Sequence, residues 1–210
     1  MKNILFALVL VSSSSLGGPM GFKDSTMLMG DFGPNWREAW LNYAVSPRDA
    51  LGVGSVWMRS DDRLRSRQLS ELTYTRRLMR INSEDSQANL WLLAGLGTIV
   101  GNDFSGARTM FAPGLAFDYE TTRIYFSATA RLYRAPQLNH DYAALRAGFS
   151  FYEAGYDDTQ PWFVLEARRM RDLSERIEIT PMLRLINKRY FVEAGVSTEK
   201  QIRFNLMYIF

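Results

Sequence analysis

The single histidine is the first place to look for catalysis. His140 sits in Asn139-His140-Asp141, beside a carboxylate, and Ser127 and Ser150 fall on neighbouring segments, so a Ser–His pair with an orienting acid is the chemistry to test. Spacing argues against it, because adjacent residues of a strand point to opposite faces and His140 and Asp141 then part company. A solvated loop histidine is the plainer expectation. One histidine and no cysteine exclude disulfides, thiol chemistry, Cys-based metal sites and multi-His metal sites. Met20, Met27 and Met29 would suit soft Cu(I), although packing among apolar neighbours explains thioethers equally well. Gly95 and Gly97, with Gly52 and Gly54, lack the following Lys-Ser/Thr of a phosphate loop and read as points of curvature or close strand packing. No cofactor and no metal are expected.

Charge is the larger chemical resource. Lys and Arg number 25 against 22 Asp and Glu, a net +3, which is too even to argue for nucleic acid. The charges recur at alternate positions. Glu71, Arg77, Asp118, Arg123, Arg131, Arg146, Glu166, Arg168, Glu178, Arg184, Glu193 and Arg203 all fall on the polar phase of their segments.

The elements that position them have period two, not 3.6. Ile202, Phe204, Leu206, Tyr208 and Phe210 alternate with Arg203, Asn205, Met207 and Ile209. Ile124, Phe126, Ala128, Ala130 and Leu132 alternate with Arg123, Tyr125, Ser127, Thr129 and Arg131. One apolar and one polar face per strand is the pattern of a membrane barrel. About twelve such segments, most about 9–12 residues long, suit tilted membrane strands, with ten strands as the alternative count. They begin near Ser25, Arg37, Ala50, Arg67, Gln87, Ala107, Thr122, Asp141, Pro161, Arg176, Tyr190 and Gln201. Short turns at Glu120-Thr121 and Lys188-Arg189 would set Asp118 opposite Arg123 and Arg184 opposite Glu193, favourable pairs on the polar face. Pro113 and Pro181 lie inside strands and imply bulges. Arg76 falls on the apolar face between Tyr74 and Leu78. Trp36, Trp40, Tyr43, Trp57, Tyr119, Trp162, Tyr190, Tyr208 and Phe210 lie near strand ends, where barrels carry interfacial aromatics.

Residues 1–18 read as a secretory signal. Lys2 supplies the positive start, residues 4–11 the apolar core, and residues 12–17 the small residues for cleavage after Gly17. The apolar run is far below the roughly 20 residues of a membrane helix. Residues 19–210 then form one all-β domain, a closed antiparallel transmembrane barrel with short loops, because only helices and closed barrels satisfy their backbone groups in lipid.

The ending Arg203-Phe204-Asn205-Leu206-Met207-Tyr208-Ile209-Phe210 resembles the terminal strand of bacterial outer-membrane β-barrel proteins. In that superfamily the final aromatic and the alternating apolar residues before it are read by the barrel assembly machinery. Phe204, Leu206, Tyr208 and Phe210 match that signal. The resemblance implies residence in the outer membrane of a Gram-negative bacterium, with membrane lipid and the assembly machinery as partners.

Function is open at this point. The leading reading is a narrow pore for small solutes, with arginines favouring anionic ones, or else a structural envelope barrel filled by its own salt bridges. One alternative is a lipid-modifying hydrolase using His140, although phospholipase barrels carry serine two residues after the histidine and this chain has Tyr142 there. The other is a soluble periplasmic β-protein.

Overall fold

In the computed structural model, which describes residues 18–155, 157–174 and 176–210, the alternation becomes strands. The expected signal therefore lies outside the described residues except for Gly18. The strands are β1 (Thr26–Phe32), β2 (Trp36–Ala44), β3 (Asp49–Arg59), β4 (Ser66–Asn82), β5 (Ser86–Gly101), β6 (Arg108–Phe111) and β7 (Gly114–Thr121). They continue as β8 (Ile124–Ala135), β9 (Leu138–Ser150), β10 (Gln160–Arg171), β11 (Glu178–Asn187), β12 (Tyr190–Val196) and β13 (Ile202–Ile209).

β6 and β7 are two pieces of one barrel strand. Both pair with β5 and β8, and the break falls at Ala112-Pro113, where proline has no N–H to give the ladder. The result is a closed antiparallel barrel of twelve strands. β13 completes the ring on β1, from Met27↔Ile209 to Phe32↔Phe204. Both described ends of the chain meet at one rim, called here the termini end.

The faces separate cleanly. Within β4, Leu69 is fully buried while Leu72 is 67% exposed, because three residues apart on a strand means opposite faces. Outside, Leu28, Leu41, Leu51, Val53, Leu96, Leu115, Leu145, Leu165, Leu183 and Phe204 form an exposed apolar belt. A water-soluble protein rarely exposes so large a contiguous apolar surface. Tyr43, Tyr190, Tyr208 and Phe210 ring the belt at the termini end. Trp36 and Trp162, expected at the interfaces, are instead buried inside the barrel, and Trp40 packs against the interior cluster around Met27. Their phase is inward, and phase overrides nearness to a strand end.

Local details depart from expectation in four places. The β7–β8 turn is Thr122-Arg123, not Glu120-Thr121, so Asp118 faces Ser127 rather than Arg123. Thr121 Oγ1 accepts hydrogen bonds from the backbone N–H groups of Arg123 and Ile124 and anchors the turn there. Pro181 causes no bulge against β10, where Leu165↔Pro181 is in register. A bulge occurs instead at Leu78, between the pairs Arg77↔Trp91 and Met79↔Leu90. Finally, β4 and β5 run to 17 and 16 residues, longer than a membrane strand needs. Arg76 does lie outward, near the termini end, and is held 3.2 Å from Asp49 Oδ1 and 3.3 Å from the Tyr74 hydroxyl.

Candidate functional site: a polar lumen closed at both ends

Inward-pointing residues of β9 to β13 and β1 build one continuous ion network. Arg184 Nε donates to Glu193 Oε1 at 2.5 Å, and Arg146 contacts the other oxygen of Glu193. Arg146 also lies 3.2 Å from Glu166, which stands 3.5 Å from Arg203. Arg203 donates to Asp31 at 2.7 Å and is 3.5 Å from Glu178, which takes Arg168 at 2.8 Å. Four arginines thus meet four carboxylates, and Asn205 Nδ2 adds a 2.7 Å bond to Glu193. The strands place these groups by phase alone, since Arg184↔Glu193 and Glu193↔Asn205 are directly paired positions.

The facing wall is sparser. Arg131 NH2 donates to Glu71 Oε2 across the lumen at 2.8 Å. Gly95 makes room for that contact, because a Cβ there would stand 1.8 Å from Glu71 Oε2. Gly97 and Gly52 likewise press against the backbone of the neighbouring strand, as the close-packing reading of these glycines requires. Glu38 receives one bond, from Trp36 Nε1 at 3.2 Å, and forms no ion pair among the described residues. Between the two walls lies a chamber of about 210 Å³, lined by Glu38, Glu71, Asp118, Arg131, Arg146 and Tyr142 among others.

Apolar side-chain clusters crowd both ends of the barrel. At the end opposite the termini, Trp36, Val56, Met58, Leu69, Ile99, Met110, Tyr133, Leu138, Met170 and Leu173 form an apolar closure drawn from most of the ring. A latch covers it. Arg67, on β4, holds Asp103 of the β5–β6 loop and reaches Asp172 of the β10–β11 turn at 2.9 Å. Ser174 Oγ donates to Asp61 at 2.8 Å, so turns on opposite sides of the ring meet over the mouth. Burial opposes ionisation of Asp103, yet the hydrogen bonds and charge of Arg67 outweigh it and hold that carboxyl below the usual range. At the termini end, Met27, Phe191, Met207 and Ile209 pack together, as do Tyr125, Trp162, Val164 and Met182.

His140 is not a solvated loop residue. It is fully buried under the latch, stacked on Tyr133 with ring centroids 4.6 Å apart, and its Nδ1 is 3.4 Å from an Arg67 nitrogen. Ser127 takes a bond from the Tyr125 hydroxyl, Ser150 donates to the Tyr152 and Pro161 carbonyls, and Asp141 faces outward between Arg134 and Arg171. No nucleophile stands at the histidine among the described residues. Met20 packs in one apolar cluster and Met27 and Met29 in another, which separates the candidate thioethers.

Of the residues singled out for the polar phase, Glu71, Asp118, Arg131, Arg146, Glu166, Arg168, Glu178, Arg184, Glu193 and Arg203 lie inside the barrel, and Arg77 reaches over the Trp91 ring. Arg123 is exposed at the rim, in the turn. Asp31, Glu38 and the Arg67 latch went unmarked. The alternation of Trp36, Glu38, Trp40 and Asn42 would have shown Glu38, had the tryptophans not been assigned to the interface.

No protein-family model and no curated protein matches the chain. Among solved structures it is similar to the KdgM porin in complex with disordered oligogalacturonate, at 13% identity and a TM-score of 0.50, covering 88% of this chain and 98% of that one. A second KdgM porin structure matches at 12% identity with a TM-score of 0.49 over the same shares. The fold, a closed antiparallel barrel of twelve strands, is similar to that of the solved KdgM porin.

Proposed function

We propose that the protein is a porin-like barrel of the Gram-negative outer membrane that passes small hydrophilic solutes through a narrow, gated lumen. The observation that carries this reading is the chamber. A barrel serving only as envelope filler gains stability by packing its middle as densely as its ends, whereas here about 210 Å³ of space, lined by apolar side chains and by charged groups such as Glu38, Glu71, Asp118, Arg131 and Arg146, is kept open. On this reading the export signal read over residues 1–18 is cut after Gly17, the barrel follows within residues 19–210, and the termini end faces the periplasm. Lipid contacts the apolar belt, and the assembly machinery reads Phe204, Leu206, Tyr208 and Phe210. The solved KdgM porin holds oligogalacturonate, which favours anionic solutes here too. Arg131 and Arg146, the arginines on the chamber wall, would meet them.

On this reading the latch over the far mouth must open for passage. In planar bilayers the wild type should give rare, small conductance steps. Arg67→Ala with Asp172→Ala should give steps several-fold larger or more frequent, and a salt gradient should show anion preference. Cation preference would overturn the anionic assignment. Bilayers silent for both proteins would overturn the pore and leave the structural envelope barrel, which the balanced ion network supports.

A further inference from the structure

The chain enters its own barrel at the termini end. Asp24 N–H donates to the Ala44 carbonyl at 2.8 Å, and Ala44 N–H to the Ser25 carbonyl at 3.0 Å, which fastens this stretch to the rim. From there the preceding residues turn inward. Met20 is buried with Ala44, Ala50, Trp91 and Ala116. Asn42 Nδ2 donates to the Pro19 carbonyl at 2.8 Å, and Pro19 and Gly18 line the chamber itself. Gly18 is buried so tightly that a Cβ on it would stand 2.8 Å from Trp91 Cζ2.

The Nε1 on the same edge of that indole meets Asp118. That carboxylate is 3% exposed, accepts Asn89 Nδ2 at 2.6 Å and the Trp91 N–H, and also lines the chamber. Among the described residues no cation lies within ion-pair distance of it, although the charges of Arg80 and Arg77 reach it from further off. A buried carboxylate of this kind is expensive without a counter-charge.

We infer that hydrolysis of the Gly17–Gly18 bond creates the missing partner, and that residues 18–20 are a tethered plug whose α-ammonium pairs with Asp118 in the lumen. Water supplies the hydroxyl to the Gly17 carbonyl, and the released Gly18 nitrogen takes protons to become an ammonium, which is the dominant form at pH 7 for a group of pKa about 7.7–8.0. The bare glycine fits because any side chain would strike Trp91. This inference rests on the export and barrel reading, but not on conduction.

The test uses the full chain expressed through export and purified from outer membranes. Intact mass reads where the chain begins. An amine-acylating reagent at pH about 7, followed by digestion and mass spectrometry, reads how fast the N-terminal amine reacts in folded and in urea-unfolded protein. The expected result is a chain starting at Gly18 whose folded-state labelling is at least ten-fold slower than unfolded, with Asp118→Asn and Asn42→Ala each restoring much of the rate. Heat-modifiable gel mobility confirms which variants are folded, and Asn42→Ala serves if Asp118→Asn is not. A different first residue, equal labelling in folded and unfolded protein, or folded variants that label as slowly as wild type would each overturn it. Silent bilayers would leave all three readouts intact, so a failed pore and a failed plug are told apart.

Discussion

The lumen has two unlike walls. The wall from β9 to β13 and β1 is a closed ledger of four arginines and four carboxylates, each with at least one partner within 3.5 Å. The wall from β2 to β8 carries glycines, a single cross-lumen pair and two carboxylates, Glu38 and Asp118, that form no ion pair among the described residues. The first fixes shape and reaches the chamber through Arg146, Glu166 and Asp31, and the second supplies most of the chamber's lining. A buried pair adds little over a well-packed apolar one, but removing one partner strands the other. The two walls should therefore respond oppositely to the same change.

The largest effect is expected at Glu193. Glu193→Gln leaves Arg184 and Arg146 facing a neutral amide in a site with no solvent exposure. By the usual penalty for breaking a buried pair, about 3–5 kcal/mol of stability should be lost, read as a lower urea midpoint in detergent or lipid. An unchanged midpoint would mean the network is not the rigid wall described.

Gly95→Ala comes next. Its Cβ would collide with Glu71 Oε2 and stand 2.6 Å from the Arg131 nitrogen. Displacing that pair and the strand contact around it should destabilise by about 1–3 kcal/mol. It should also alter conductance, since Glu71 and Arg131 both line the chamber. A stable Gly95→Ala barrel with unaltered steps would argue that the pair is incidental.

How much of this was readable beforehand follows from the kind of interaction. Period-two alternation and short turns specify strands and their number, because each depends on neighbours in sequence, and Arg184 facing Glu193 needs only a two-residue turn. The β7–β8 register was off because Thr121 anchors the turn with its side chain, a contact invisible to alternation. The bulge at Leu78 reverses phase without any glycine or proline to announce it. The latch joins Arg67 to residues 36 and 105 positions away, and the chamber is a volume left by side chains from many strands, so neither leaves a local pattern. His140 looked like loop because it begins near a turn; in fact β9 already starts at Leu138 and turns the ring inward.

The latch ties the two walls together, and acid should loosen it. Asp103 has its carboxyl held low by Arg67, so its contribution is complete above the unfolded value near 3.9 and is lost as pH falls through the lower folded value. Lowering the pH below about 4 should raise open probability in bilayers, and Asp103→Asn should show that raised opening already at neutral pH. A wild type whose gating is flat down to pH about 3 would separate the latch from the gate.

The smallest effect on stability, and the sharpest contrast, is expected at Glu38. Glu38→Gln is chemically the same exchange as Glu193→Gln, on the opposite wall. Here Arg131, whose charge also reaches Glu38, keeps its pair with Glu71, and the Trp36 N–H can still donate to the amide oxygen. Removing a carboxylate that lacks a counter-ion relieves desolvation rather than creating it, so the urea midpoint should stay level or rise slightly. The change should appear in selectivity, as a shift of reversal potential toward anions, because one negative charge leaves the chamber wall. If Glu38→Gln instead unfolds the barrel as Glu193→Gln does, Glu38 is a structural partner in a network like the other wall's. The distinction between a filled side and a solute-facing side then collapses.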